Sequence, residues 1–112
     1  MAKYAIGVDF GTLSGRALLV DVKTGEELAT SVLDYPHSVM DEELPSGKKL
    51  GADWALQDPQ DYLDVLKTTI PDVIKKSGVN AEDIIGLGLD FTACTVMPVK
   101  KDGTPLCFID KF

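Results

Sequence analysis

The chain has 112 residues, 45% of them apolar, which is one domain's worth of sequence and too hydrophobic for a disordered segment. Eleven basic residues against eighteen acidic ones leave a net charge of −7 with no basic stripe, so nucleic acid is not an expected partner. No apolar run nears the roughly 18 residues of a membrane helix, and Asp9 breaks the run after Lys3 too early for a secretory signal, so no membrane association and a cytoplasmic protein are expected.

The opening residues 5–20, AIGVDFGTLSGRALLV, set two apolar runs around a small polar turn. They predict a first strand from Tyr4 to Asp9 and a returning strand from Gly15 to Val22. Lys23-Thr24-Gly25-Glu26 then reads as a turn, and a third strand from Glu27 to Tyr35 stops before Pro36. Residues 36–58 are loop-like, with Pro36, Pro45, Gly47, Gly51 and the solvated acidic run Asp41-Glu42-Glu43. A structureless loop this long is uncommon inside a compact domain, so it is expected to be functional or packed, with Val39, Trp54 and Leu56 as anchors. His37, the only histidine, reads as incidental.

A helix is expected next. Asp58 suits its cap, Pro59 its first turn, and Asp61 the positive end of its dipole. Tyr62, Leu63, Leu66, Ile70, Val73 and Ile74 recur at the spacing of one buried face, and Gly78 marks the end. Pro71 is expected to kink or divide this helix near residues 68–70. IIGLGLD, residues 84–90, has the unbroken apolar character of a strand buried on both faces, and the helix before it makes it parallel to the first strand. Further strands are expected at Thr95 to Val99 and Leu106 to Ile109, joined by a turn at Lys101-Asp102-Gly103-Thr104. The element order is β-β-β-α-β-β-β in a mixed α/β sheet. Cys94 and Cys107 fit no zinc spacing and are expected to be buried free thiols.

Two segments carry chemistry. Asp9 ends the first strand, and Gly11, Thr12, Ser14 and Arg16 follow it. A carboxylate suits Mg²⁺, exposed N–H groups of a glycine turn suit phosphate oxygens, and Arg16 suits a charge-assisted fork to them. The same residues also make an ordinary hairpin turn. The spacing is neither G-x-x-x-x-G-K-[ST] nor G-x-G-x-x-G, which disfavours a P-loop enzyme and a dinucleotide-binding dehydrogenase. The second segment, Asp90-Phe91-Thr92-Ala93-Cys94-Thr95, follows the buried strand. Two parallel strands ending on Asp9 and Asp90 bring both carboxylates to one edge of the sheet, where open α/β sheets bind ligands. A plain strand corner with satisfied threonines is the competing reading.

Asp9, Gly11, Thr12 and Arg16 resemble the D-x-G-T-x-x-x-R phosphate motif of the sugar-kinase, heat-shock chaperone and actin superfamily. With the element order, this implies a ribonuclease-H-like or actin-like ATPase half-domain. GVDFGTLSGRALLVD, YPHSVMDEELPSGKKL, DWALQDPQDYL, IGLGLDFTACTVMPV and KDGTPLC together resemble the N-terminal part of FGGY carbohydrate kinases, in their ribulokinase branch. That resemblance implies ATP-dependent phosphorylation of L-ribulose at its 5-hydroxyl in L-arabinose breakdown. It implies Asp9 at Mg²⁺, and Gly11, Thr12 and Arg16 at the transferred phosphoryl group, where the turn's Ser14 is a further phosphate-binding candidate. It implies Ala93, Asp90, Thr92 and Trp54 at the sugar. Such kinases are several times longer, and their catalytic base, adenosine-binding segments and FGGY signature have no counterpart in residues 1–112. The resemblance implies a base in a later segment, beyond Phe112. The chain is therefore expected to be a partial N-terminal domain, inactive alone, whose uncovered sheet edges favour a homo-oligomer. The alternatives are another FGGY kinase, for xylulose, ribitol or glycerol, an actin-like or chaperone-type ATPase half-domain, and a self-standing interaction domain.

Overall fold

A computed structural model describes residues 2–52, 54–92 and 97–109. Three strands form an antiparallel meander: β1 (Tyr4–Phe10), β2 (Ser14–Asp21) and β3 (Glu27–Asp34). After a long loop comes one helix, α1 (Pro59–Ser77), then a 3₁₀ turn at Ala81–Asp83 and strand β4 (Ile84–Phe91). β4 pairs with β1 in parallel, as the crossover through α1 requires, and the sheet order is β3-β2-β1-β4.

The helix begins and ends on the residues that its chemistry predicts. The Asp58 carboxylate accepts the Gln60 amide at 2.9 Å, and Gly78 takes the left-handed conformation with its N–H on the Ile74 carbonyl. Two expectations for it are corrected. Pro71 does not divide α1, which is one continuous helix: Pro71 is exposed, so solvent can take up the carbonyl that its ring leaves without an N–H partner. The buried stripe is also turned from the one expected, with Asp61, Val65, Thr69 and Val73 at its centre and Leu63 exposed. Thr69 lies in this apolar stripe because its hydroxyl bonds back to the Val65 carbonyl at 2.6 Å.

α1 lies across β2 and β3, enclosing a core of Ile6, Val8, Ala17, Leu19, Tyr35, Val65 and Val73. Gly15 packs directly against the helix: a Cβ there would stand 2.6 Å and 2.8 Å from the two methyls of Val65. β4 departs from its sequence. Ile85, Leu87, Leu89 and Phe91 are 54–67% exposed rather than buried, because α1 covers β2 and β3 and β4 is the sheet's edge.

Loop 36–58 has more order than its composition suggests. Isolated antiparallel bridges join Met40 to Leu56 and Glu43 to Lys49. Past β4, Gly103 closes a turn from Lys100 to Thr104, and Val99 bridges Pro105. Leu106–Phe108 is a 3₁₀ turn instead of the expected strand, and of the strand expected from Thr95 to Val99 residues 95 and 96 lie outside the described residues while Val99 makes only an isolated bridge; among the described residues the order is β-β-β-α-β. The structural reason is Pro105, which lacks the N–H that would continue the ladder. Cys107 is exposed, not buried; Cys94 lies outside the described residues. Among the described residues no helix is long and apolar enough to cross a membrane.

Candidate functional site

β1 and β4 end side by side, and β2 starts where β1 stops. The register pairs Asp9 with Arg16 on β2 and with Asp90 on β4. Directly paired residues share a face, so three charged side chains form one row across β2, β1 and β4. Gly15 lies against α1, so its neighbours Ser14 and Arg16 face the other way. The row is thus on the side of the sheet that α1 leaves open. Among the described residues neither Asp9 nor Arg16 makes an ion pair. The Asp90 carboxylate accepts the Phe91 amide at 3.0 Å.

The turn after β1 is tight. The Gly11 amide donates to the Ser14 carbonyl at 2.8 Å, and a Cβ on Gly11 would meet that oxygen at 3.1 Å. A side chain here would push the turn open, which is the local reason for glycine. Within the turn, the exposed Thr12 and Leu13 amides have no acceptor among the described residues.

The turn's carbonyls are all engaged. Tyr35 Oη donates to the Gly11 carbonyl at 2.6 Å, Gln57 Nε2 to the Thr12 carbonyl at 2.7 Å, and the Tyr35 amide to the Leu13 carbonyl at 2.9 Å. Tyr62 of α1 donates its hydroxyl to Gln57 Oε1. The Phe10, Tyr62 and Tyr35 rings stack edge to face beneath the turn, with centroids 5.8 Å and 5.7 Å apart. Burial, reinforced by Tyr62, Asp9 and Asp61, pushes the Tyr35 hydroxyl up to about 12, so it is a donor at any physiological pH.

A second cluster anchors the loop. Asp61, only 1% exposed, accepts the His37 ring Nδ1 at 2.7 Å on one oxygen and the His37 amide at 3.1 Å on the other. Asp58 stands 3.3 Å from the same ring nitrogen. The hydrogen bond to Asp61 raises the His37 pKa above its ordinary value, against a smaller opposing effect of burial. His37 is therefore structural rather than incidental, and Asp61 is a buried loop anchor as well as a first-turn acid.

Of the residues expected at a site, the structure brings together Asp9, Gly11, Thr12, Ser14, Arg16 and Asp90. Thr92 adjoins them, its amide on the Phe10 carbonyl at 3.2 Å, and with Phe10, Tyr62, Phe91 and Met97 it lines an apolar cleft. Trp54 is 55% exposed, beside Gly51 in the loop, and Ala93 lies outside the described residues. Phe112, beyond which the base is expected, also lies outside the described residues, which end at Ile109. The parts that Tyr35, Gln57 and Tyr62 take in holding the turn are not marked by any motif in the sequence. Gln57, a polar residue just before a helix cap, carried the one local signal.

The N-terminal domain of the FGGY family of carbohydrate kinases matches residues 4–109. The chain belongs to the FGGY family. Among curated relatives it is 55% identical over 111 residues to the ribulokinase of Halalkalibacterium halodurans and 57% identical over 111 residues to that of Geobacillus thermodenitrificans. Each alignment covers 98% of this chain and 20% of the relative, so the chain spans about a fifth of their length. Among solved structures, a gluconate kinase from Lactobacillus acidophilus superposes with a TM-score of 0.73 at 22% identity, over 95% of this chain and 19% of its own. A xylulose kinase from Brucella ovis gives 0.74 at 20% identity, over 92% of this chain and 19% of its own. These likenesses give the FGGY chain the actin-like fold of sugar kinases, as its sequence pattern implied.

Proposed function

We propose that this FGGY chain supplies the phosphate-facing and sugar-facing wall of an ATP-dependent kinase that phosphorylates L-ribulose at its 5-hydroxyl in L-arabinose breakdown. The observation that carries the reading is the row Arg16–Asp9–Asp90 beside a turn whose Thr12 and Leu13 amides have no acceptor among the described residues. Identity of 55% to a ribulokinase supports the choice of sugar.

Phosphoryl transfer needs positioning and charge neutralisation more than covalent help from the protein. Arg16 and the Thr12 and Leu13 amides supply positive potential in a chain whose net charge of −7 repels nucleotides. Gly11 lets the backbone close up to a phosphoryl oxygen, and Ser14 adds a hydroxyl. Among the described residues no group of three metal-ligating side chains is assembled. Mg²⁺ is commonly held by one or two carboxylates plus substrate phosphates, and Asp9 is proposed as the carboxylate. When bound, the ion would neutralise charge on the phosphates. Asp90, Thr92, Ala93 and Trp54 are the residues proposed to meet the sugar.

No catalytic base is assigned within residues 1–112; it is proposed to come from sequence beyond Phe112 in the full-length kinase. A base contributes about 10²–10⁴-fold, and the nucleotide-binding wall is the other half of a cleft, so the 112-residue chain alone is proposed to be inactive. The protein is proposed to be cytoplasmic, to bind neither nucleic acid nor membrane, and to self-associate. The test is ADP release by the full-length kinase with MgATP and a panel of L-ribulose, xylulose, ribitol, glycerol and gluconate. L-ribulose should give the highest kcat/KM. Preference for another sugar refutes the substrate assignment, and release by the 112-residue chain alone refutes its inactivity.

A further inference from the structure

We propose that Tyr35, Gln57 and Tyr62 are positioning residues for phosphoryl transfer, which fix the peptide planes of the turn so that its Thr12 and Leu13 N–H groups face a phosphate. The proposal rests on the phosphate-binding reading of that turn. Its geometric basis is the planarity of the trans peptide, in which a carbonyl and the next residue's N–H point in opposite directions. No cis bond occurs among the described residues. The Gly11 carbonyl is drawn inward by Tyr35 Oη, so the Thr12 N–H faces outward. The Thr12 carbonyl is held by Gln57 Nε2, so the Leu13 N–H points away from Gln57.

The three donors come from separate elements. Tyr35 follows β3 and is 4% exposed, Gln57 ends the long loop, and Tyr62 lies in the first two turns of α1. The Tyr62 hydroxyl occupies Gln57 Oε1, which commits the Gln57 –NH₂ end to Thr12. The His37–Asp61 contact pins the start of the loop to the same helix. A turn whose carbonyls were not held could flip its peptides at little cost, presenting carbonyl oxygens to an anion. The brace removes that alternative before any ligand arrives, so the ordering is not charged against binding or transfer.

Two near-isosteric variants of the full-length kinase test this. Tyr35→Phe deletes the hydroxyl and keeps the ring; Gln57→Glu keeps the acceptor for Tyr62 and removes the donor to Thr12. Each is expected to speed hydrogen exchange at the Gly11 amide, which closes the turn, at least about tenfold. Each is expected to lower kcat about 10-fold or more, with the sugar KM within about twofold of wild type and the melting temperature nearly unchanged. The double variant should lose less than the product of the two, because both act on one turn. Unchanged exchange overturns the brace whatever the activity. Faster exchange with unchanged kcat, or a loss that follows the melting temperature, overturns its catalytic role. A wild-type protein that fails to phosphorylate any of the sugars, with the variants still exchanging faster, sinks the kinase reading and leaves the brace as a structural feature alone.

Discussion

Replacing Gly15 with alanine puts a methyl group where the sheet lies against the helix. The new Cβ would lie 2.6 Å and 2.8 Å from the Val65 methyls and 3.2 Å from Val65 Cβ. Carbon atoms pack best at about 3.5–4.0 Å, so each contact is too short by roughly 0.3–0.9 Å. Val65 cannot turn aside easily. It is fully buried and sits mid-helix, where valine holds one χ1 rotamer, and turning its Cβ–H toward the sheet still leaves the 3.2 Å contact. Overpacking of this kind costs about 1–3 kcal/mol, while losing a strand glycine returns about 0.5–1 kcal/mol. A net loss of about 1–2 kcal/mol is expected, or about 4–10 °C in melting temperature for a domain of this size. Urea denaturation followed by circular dichroism measures it. Val65→Ala is destabilising alone, but in the double variant the added methyl takes up vacated space, so the two losses should fall short of additive by about 1 kcal/mol. A Gly15→Ala chain as stable as the parent, or strict additivity, would refute the packing argument.

In the full-length kinase, Asp9→Asn should lower turnover by about 10²-fold or more with an unchanged melting temperature, because an exposed carboxylate at a strand end contributes charge and not packing; near-normal turnover removes Asp9 from the mechanism. His37→Gln should destabilise the chain more at acidic than at alkaline pH. The His37 pKa is raised in the fold, so its stabilisation is complete below the unfolded value of about 6.5 and fades as pH rises through the folded one; equal losses by denaturation at pH 5.5 and pH 9 contradict the ion pair with Asp61. The 112-residue chain should associate in sedimentation experiments through its apolar edge strand, and Leu87→Lys, on that strand's exposed row, should shift it toward monomer; an association indifferent to Leu87→Lys places the contact elsewhere.

What could be read in the sequence was local. Asp58-Pro59 and Gly78 bound the helix because capping is decided within one turn of chain. The pairing of Asp9 with Asp90 followed from two strands and one crossover, since a parallel register aligns their ends. What escaped was the chemistry of residues distant in sequence. His37 and Asp61 lie 24 positions apart, and Gln57 and Thr12 lie 45 apart, with no periodicity to join them. The need for glycine at position 15, at the start of the second strand, is not visible locally because Val65, which excludes a larger side chain there, is supplied by the helix. The apolar run of β4 was read as doubly buried, although burial depends on what covers a strand and not on the strand alone.

The placement of β4 has a consequence for how the chain assembles. β1, β2 and β3 meet through short connections, so their ladders close early and at small entropic cost. β4 reaches β1 only after the long loop and α1 have been made, and among the described residues β1 is its sole neighbour in the sheet. It should therefore join last and fray first, with amide protection falling from the meander toward residues 84–91. Asp90 rides on that strand. The row of charges at the strand ends thus becomes complete only in the final step of folding.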